Sequence, residues 1–209
     1  MNETREKILD AAERLIGENG YGATSLRHII AEAGVNLAAI HYHFGSKEDL
    51  LDQIIVRKGG PVNAERLAML DQLEREAQGK PVELEKITEA FLSPPMLKIK
   101  KSPEFVKLMG RIYGEGLMPQ LAARHFQIVA RRFFAALGRA LPELTPGELA
   151  LRTQFMVGAM SHMLLCNLTD SGVLTGAPVP RDPHRVMREL VVFLCGGLRA
   201  SDGKRRTKK

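Results

Sequence analysis

Four consecutive residues in the first quarter of the chain combine ring nitrogens with aromatic surface. The segment 41–44 reads His-Tyr-His-Phe, and it lies between the pair Ala38-Ala39 and Gly45. Imidazole nitrogens can bind a metal ion, a tyrosine hydroxyl can bind phosphate, and aromatic rings can contact bases or fill a core. Three roles are therefore chemically open to this segment: metal binding, core packing, or contact with something outside the protein.

Metal binding is the weakest of the three. His41 and His43 are two residues apart, which places them about 200° apart on a helix, so one helical face cannot present both to one ion. Neither E-x-x-H nor H-x-x-x-H occurs in the chain. The two cysteines, Cys166 and Cys195, lie in apolar helical sequence and are predicted to be reduced core thiols. We expect neither a metal nor another cofactor.

The elements around this segment predict a helix-turn-helix unit. A short helix is expected over 25–33 and a second one from Asn36 to Gly45. Gly34 can take the left-handed conformation that ends the first helix, and Asn36 can cap the second. Two short helices joined by a glycine turn place the second helix in the major groove of DNA.

The residue types of the second helix fit that placement. Val35, Ile40 and Phe44 fall near one face and are expected to pack inward. The paired alanines let the backbone approach a duplex, and Tyr42 offers a hydroxyl for phosphate and a ring for thymine methyls. Lys47 follows at the start of a fourth helix, where a phosphate is favoured. The predicted DNA contacts here are Asn36, Leu37, Ala38, Ala39, His41, Tyr42, His43 and Lys47.

Composition favours a globular, all-α protein. The chain has 209 residues, of which 44% are hydrophobic and 26% charged, enough to bury a core without disulfides. Its apolar positions follow helical spacing, as Ile8, Ala12 and Ile16 do, and no convincing strand alternation is visible. No apolar run approaches the ~18 residues of a membrane span, and the charged N-terminal segment is unlike a signal peptide. We therefore expect a cytoplasmic protein with no membrane partner.

The domain organisation follows from the helical pattern. Lys58-Gly59-Gly60-Pro61 predicts a kink or break, and a boundary near residue 58 within a helix. Residues 1–58 would form the helix-turn-helix DNA-binding domain, and 59–199 a larger helical domain for ligand binding and dimerisation. Residues 200–209 are predicted to be a basic disordered tail. Further helices are expected at about 82–99 (interrupted by Pro94-Pro95), 103–114, 117–140, 146–169 and 182–199.

The net charge of +6 is unevenly distributed. Residues 1–58 carry −2, because seven Lys and Arg oppose nine Asp and Glu, whereas residues 199–209 carry +5. A basic tail adds non-specific attraction to DNA, or it serves only solubility. Overall charge therefore does not decide the function.

Residues 1–58 resemble the N-terminal domain of the TetR/AcrR family of bacterial transcriptional repressors. The resemblance rests on the amphipathic first helix, G-Y-x-x-T-S at 20–25, the A-G-V turn at 33–35 and Y-H-F-x-S-K at 42–47. It implies an all-α homodimer whose N-terminal units bind double-stranded operator DNA and whose C-terminal helices bind a small molecule. At the start of the second helix it adds Ser25 and Arg27 as DNA-binding residues, and Thr24, which can also cap that helix, is predicted to contact DNA beside them.

The C-terminal region is expected to hold the effector. The runs FMVGAMSHMLL and VMRELVVFLCGGLRA loosely resemble the subgroup that includes fatty-acid-responsive repressors, so the unknown effector is expected to be apolar or fatty-acyl. Methionine suits adaptable apolar cavities, although most such residues are ordinary core. Arg111 could pair with a carboxylate or phosphate of the effector, or with Glu115 at i+4. The predicted pocket residues are Met109, Arg111, Tyr113, Phe126, Phe155, Met160 and His162.

The last two long helices carry apolar stripes and small residues, which predict a four-helix dimer interface. Two recognition helices related by a two-fold axis can read a pseudo-palindrome with half-sites about 34–36 Å apart or a multiple of that. The predicted interface residues are Met156, Met163, Val186, Leu190, Phe193 and Leu194.

Two other functions stay open at this stage. A dimeric DNA-binding protein without a sensor would have a solid C-terminal core, whereas a closed apolar pocket favours a sensor. An all-helical enzyme would need convergent acid–base or metal groups, and the sequence offers no such set. We therefore expect a ligand-responsive repressor and not an enzyme.

Overall fold

The computed structural model describes residues 2–97, 102–165, 176 and 182–201, and most of these are helical. No β-strand occurs among them, so the all-α prediction is confirmed. The α-helices are α1 (Asn2–Asn19), α2 (Leu26–Ala33), α3 (Leu37–His43), α4 (Lys47–Ile54), α5 (Gly60–Ala77), α6 (Leu84–Leu97), α7 (Pro103–Gly114), α8 (Met118–Leu121), α9 (Gln127–Ala140), α10 (Pro146–Leu165) and α11 (Pro183–Arg199). Within the described residues, π-helical segments cover Ile55–Gly59 and Ala122–Phe126.

Local capping signals set the boundaries of the first four helices. α1 ends at Asn19, and Gly20 follows with a φ of 91°. The side chains of Ser25, Asn36 and Ser46 accept backbone N–H groups at the starts of α2, α3 and α4. Such caps satisfy amides that have no partner within the helix.

At 58–61, where a kink or a break was expected, the helix is not broken. α4, the π segment 55–59 and α5 follow one another without a gap, so the chain stays helical from residue 47 to residue 77. Pro61 lies in the first turn of α5 and cannot donate to the preceding turn, and a π-helical turn is one way for a helix to absorb such a defect. The boundary expected near residue 58 thus falls inside a continuous rod.

An ionic cluster fixes α1 against this rod. Arg57 lies 2.7 Å from Glu6, 2.9 Å from Asp10 and 2.8 Å from Glu13, and Lys58 lies 3.4 Å from Glu13. Glu13 is only 3% exposed, so this carboxylate needs the opposite charge beside it.

The N-terminal core includes residues from the second half of the chain. Ile8, Ile16 and Ile40 are fully buried in the same apolar cluster as Leu108 and Ile112 of α7. The helix-turn-helix unit is therefore packed directly on α7. A second cluster, built from α5, α6, α7, α9, α10 and α11, forms the core of the C-terminal bundle.

Several expectations concern the C-terminal half. α6 continues through Pro94 and Pro95 as far as Leu97, so the prolines do not end the helix. Cys195 is buried, whereas Cys166, the end of the helix expected at 146–169, and the tail 202–209 lie outside the described residues. No helix within the described ranges is long and apolar enough to cross a bilayer.

Candidate nucleic-acid interface and ligand cavity

The turn between α2 and α3 has the geometry of a helix-turn-helix. Gly34 ends α2 with a φ of 64°, and its N–H donates to the carbonyl groups of Ala31 and Ile30. Asn36 then accepts the N–H of Ala39 at 2.9 Å and so begins α3. A left-handed residue followed two positions later by a cap forces the chain to change direction between the two helices.

The inner face of α3 is anchored in the N-terminal core. Ile40 is fully buried and Phe44 is 7% exposed, and both share the apolar cluster with Ile29 of α2. Val35 and Ile30 are half-buried and pack against the same cluster. The orientation of α3 is thus fixed by packing from within.

The opposite face of α3 projects into solvent. Tyr42 is 72% exposed and Leu37 is 52% exposed, large values for apolar or aromatic side chains. Ala38 and His41 are also exposed. Of the remaining α3 residues predicted to contact DNA, His43 is half-buried with its ring 4.9 Å from that of Tyr42, and Ala39 is half-buried against the core.

The expected DNA contact by Thr24 is wrong. This residue is 1% exposed, and its hydroxyl donates to the carbonyl groups of Leu15 (3.1 Å) and Gly20 (2.8 Å). Thr24 ties the α1–α2 loop to the end of α1, so its side chain faces inward. By contrast, Ser25 is half-buried and Arg27 is exposed.

Lys47 is engaged within the protein. Its Nζ donates to the carbonyl of Tyr21 and lies 4.0 Å from the centroid of the Tyr21 ring, and partial burial lowers its pKa below the ordinary value. The ammonium therefore joins the start of α4 to the α1–α2 loop.

Arg27 makes no ion pair or hydrogen bond within the described part of the chain, so its guanidinium is available to an outside anion.

The imidazoles of α3 do not converge. The Nδ1 of His41 lies 3.2 Å from the carbonyl oxygen of Gly45. No group of three or more His, Cys, Asp or Glu side chains suited to one metal ion occurs among the described residues.

An apolar cavity of about 160 Å³, partly open to solvent, lies between the helices of the C-terminal bundle. Residues from both π segments and from α5 to α10 line it. Four of the predicted pocket residues are on its wall: Met109, Tyr113, Phe126 and Met160.

Three predicted pocket residues are not on the wall. Arg111 is exposed and donates to the carbonyl of Glu18 at 3.0 Å. Phe155 is 63% exposed, and His162 is exposed on α10. Arg111 and His162 each lie two residues from a lining residue, which turns them about 200° away from the cavity.

The cavity contains one arginine that the sequence analysis missed. Arg66 of α5 is 7% exposed and lines the cavity together with Asn63 and Tyr113. The available signal was its spacing, since Arg66 stands midway between Val62 and Leu70 on a stripe of buried positions. A charged residue on such a stripe needs a specific partner.

The outer faces of α10 and α11 present the largest exposed apolar side chains of those helices. Leu151 and Phe155 are separated by one helical turn, and Val192 and Phe193 are adjacent; all four are more than half exposed. We call these four residues the α10–α11 patch.

The predicted dimer residues divide between core and surface. Phe193 is 73% exposed, and Met163 and Leu190 are half-buried. Met156, Val186 and Leu194 are at most 8% exposed because they belong to the core cluster of their own chain. These three residues are therefore removed from the predicted interface.

Two sets of contacts join the cavity region to the N-terminal unit. Glu115, just after α7, accepts the backbone N–H groups of Tyr21 (3.0 Å) and Gly22 (3.1 Å). Arg124, in the π segment between the lining residues Ala122 and Phe126, lies 2.8 Å from Glu48 and 3.2 Å from Asp52 of α4. The first set reaches the α1–α2 loop and the second reaches α4.

An outward helix on a helix-turn-helix support is the arrangement of a DNA-binding regulator, and in this chain it is joined to a helical bundle with an apolar cavity. Two family models match this chain: the bacterial regulatory proteins of the tetR family over residues 8–54, and the tetracyclin repressor-like C-terminal domain over residues 89–197. The chain belongs to the TetR family of DNA-binding transcriptional regulators, which confirms the resemblance drawn from its motifs.

Individual relatives agree with this assignment. The regulator BetI of Rhizobium meliloti is 30% identical over 156 residues, covering 75% of this chain and 73% of that protein. AcrR of Shigella flexneri is 48% identical over 52 residues, and the match spans 25% of this chain and 24% of that protein.

Solved structures share the fold. A TetR-like regulator from Rhodococcus sp. RHA1 has a TM-score of 0.59 at 19% identity, with 95% and 97% of the two chains covered. The fatty acid degradation regulator FadR from Bacillus halodurans has a TM-score of 0.56 at 16% identity, again with 95% and 97% covered. These likenesses establish the architecture alone.

Proposed function

We propose that this chain is a cytoplasmic, homodimeric repressor that binds a pseudo-palindromic operator and is released from it by a small amphipathic effector. The observation that carries the proposal is the pairing of an exposed α3, anchored by Ile40, with an internal cavity whose wall is linked to the α1–α2 loop and α4. The cavity also favours a sensor over a DNA-binding protein that merely dimerises.

The proposed DNA contact centres on the exposed face of α3. Tyr42 and His41 would meet phosphates or base edges, Leu37 would meet thymine methyls, and the small Ala38 would let the helix approach closely. Arg27 would add a phosphate contact from α2. Ser25, Asn36, His43 and Lys47 remain proposed contacts on the flanks of this face.

The proposed homodimer pairs the α10–α11 patch of two copies. Phe155 and Phe193 would form its apolar centre, where aromatic side chains contribute most. Gly158 and Gly196 are both exposed with no atoms near the position of a Cβ, so the partner's helices could approach closely there. A two-fold axis through this patch would place two copies of α3 on one operator.

Release from DNA requires an effector that favours a different separation of the two α3 helices. α7 is placed to transmit it, because Met109 and Tyr113 face the cavity while Leu108 and Ile112 face α1. A helix that is pushed on one face moves its other face as well, and the contacts of Glu115 extend this movement to the α1–α2 loop.

The test begins by selecting the operator from genomic fragments with the purified chain and measuring affinity by fluorescence anisotropy. Tyr42→Ala is expected to weaken operator binding about tenfold or more, as lost base contacts of about 1–3 kcal/mol imply. Arg27→Ala should lower the affinity for all DNA sequences. It should also reduce the slope of log affinity against log salt concentration by about one, as loss of one phosphate contact implies.

The matched control is Ile128→Ala, since Ile128 is 71% exposed on α9, away from α3. It should bind DNA as the unmodified chain does. Equal affinity for the Tyr42→Ala, Arg27→Ala and control variants would contradict the proposed docking of α3.

A further inference from the structure

Arg66 is a buried cation whose hydrogen-bond partners are all uncharged. Its Nε donates to the carbonyl of Phe91 at 2.7 Å, Nη1 to the Oδ1 of Asn63 at 3.3 Å, and Nη2 approaches the Sδ of Met160 at 3.5 Å. Its guanidinium carbon lies 4.2 Å from the centroid of the Phe91 ring. No carboxylate in the described part of the chain forms an ion pair with it.

The Nε contact has a structural explanation. In an α-helix, the carbonyl of Phe91 would receive the N–H of residue 95, or of residue 94 in a tighter turn. Both positions are proline, which has no N–H. Arg66 supplies the donor that α6 lacks, and this fixes the guanidinium in place.

The other edge of the guanidinium is not explained by the fold. Nη1 has a long contact with an amide oxygen, and Nη2 has a thioether sulfur, which is a weak acceptor. Burial lowers the pKa of Arg66 to about 10, so it is still charged at neutral pH. A charged, preoriented fork with weak partners in an apolar cavity matches the geometry that binds a carboxylate through two parallel hydrogen bonds.

We propose that the effector is a small monocarboxylate, whose carboxylate pairs with the Nη1–Nη2 edge of Arg66 and whose apolar body lies against Phe105, Met109 and Phe126. This inference rests on the proposed function and specifies the effector class. It replaces Arg111 with Arg66 as the anion-binding residue.

The size of the cavity limits the apolar body of the ligand. An apolar protein cavity of about 150 Å³ holds one benzene molecule, and the cavity around Arg66 has about 160 Å³. One ring or a chain of about six carbons therefore fits. A long fatty-acyl chain, which the sequence resemblance favours, is larger than this volume, so part of it would lie outside the cavity.

The test is isothermal titration calorimetry of the full chain, without DNA, using benzoate, benzamide, hexanoate and dodecanoate. Benzoate and hexanoate are expected to bind about ten- to a hundredfold more tightly than benzamide, since a hydrogen-bonded charge pair contributes that difference. Dodecanoate should bind more weakly than hexanoate. Because benzoate and benzamide have the same shape, their comparison needs no variant.

Arg66→Met should reduce benzoate affinity to that of benzamide or below it, because a buried carboxylate without a cation is costly. Arg66→Lys, which keeps the charge but loses the fork, should retain only a small preference for the carboxylate. Arg131→Met, on an exposed arginine of α9, should bind benzoate as the unmodified chain does. Circular dichroism of each variant establishes that it is folded.

The proposal is overturned if benzamide matches benzoate, if neither carboxylate binds at roughly millimolar concentration, or if Arg66→Met binds benzoate normally. A second experiment, addition of benzoate to the operator complex, distinguishes failure of the Arg66 site from failure of the proposed release mechanism. Carboxylate binding that leaves DNA affinity unchanged would refute the release mechanism and leave the Arg66 site standing. Release from the operator by a neutral compound that acts equally on Arg66→Met would refute the Arg66 carboxylate site and leave the release mechanism standing.

Discussion

The contact between Arg66 and α6 makes a specific thermodynamic prediction. If Nε replaces the N–H that Pro95 lacks, the effect of removing Arg66 depends on which residue occupies position 95. Arg66→Met leaves the buried Phe91 carbonyl without a donor, whereas Pro95→Ala provides an N–H from within α6. The two substitutions should therefore not be additive.

The expected coupling follows from the cost of an unsatisfied buried carbonyl, about 1–3 kcal/mol. Removing the buried charge of Arg66 also relieves a desolvation penalty. That gain occurs with either residue at position 95, so it cancels in the double-mutant cycle formed by the four proteins. Arg66→Met should therefore be less damaging, by about 1–2 kcal/mol, when Pro95→Ala is also present.

The measurement is urea unfolding of the four proteins, followed by helical circular dichroism. All samples are compared at one protein concentration, because dimerisation would make stability concentration-dependent. Arg131→Met combined with Pro95→Ala provides an additive control. If the Arg66 and Pro95 effects also add to within about 0.5 kcal/mol, Arg66 does not act as the missing donor, and its fixed orientation in the cavity loses its basis.

Three further predictions test the interface and the stability of the fold. Phe193→Ala should raise the dimer dissociation constant at least tenfold in sedimentation experiments, because burying such a side chain contributes about 1.5–3 kcal/mol, whereas Ile128→Ala should not change it. Gly34→Ala should lower the melting temperature by about 2–4 °C through a left-handed strain of about 1 kcal/mol, since no atom lies near its Cβ position. The hydrogen bond from Arg199 lowers the pKa of Glu85 below its ordinary value of 4.5, so the pair stabilises the fold above that pH and the contribution is lost on acidification. Glu85→Gln should therefore lower the free energy of unfolding at neutral pH, and the difference from the unmodified chain should disappear in acid.

The helix-turn-helix was predictable because its signals are local. Gly34, Asn36 and Ser46 each act on the two or three residues beside them, and the inward positions Ile40 and Phe44 follow from helical spacing. Thr24 was misassigned because the sequence cannot show whether a hydroxyl faces outward as a cap or inward towards carbonyl groups.

The cavity was only partly predictable because it is formed by residues far apart in sequence. Helical spacing alone could have separated Met109 and Tyr113 from Arg111, which lies between them on the opposite face of α7. The role of Arg66 depends on two prolines about thirty residues away along the chain. No pattern within α5 itself contains that information.

The interface prediction failed where one helix has two apolar sides. Leu194 and Phe193 are neighbours in sequence, yet one faces the core of its own chain and the other faces solvent. Every residue of α11 from Leu190 to Cys195 is apolar, so in that part of the helix periodicity does not say which side is internal. The packing of α11 against α6 settles that question in the structure.

The buried charge of Arg66 also limits how strongly a carboxylate could control DNA binding. A pKa lowered from 12.5 to about 10 means that the charged form is disfavoured by about 3 kcal/mol, at about 1.4 kcal/mol per pKa unit. A carboxylate that restored this stabilisation in only one of two conformations would shift their equilibrium by about 300-fold through Arg66. That shift lies at the upper end of the coupling range of about 1–3 kcal/mol typical of allosteric proteins. One ion pair is therefore sufficient for a working switch, and a much larger loss of operator affinity would require the apolar body of the effector to move α7 as well.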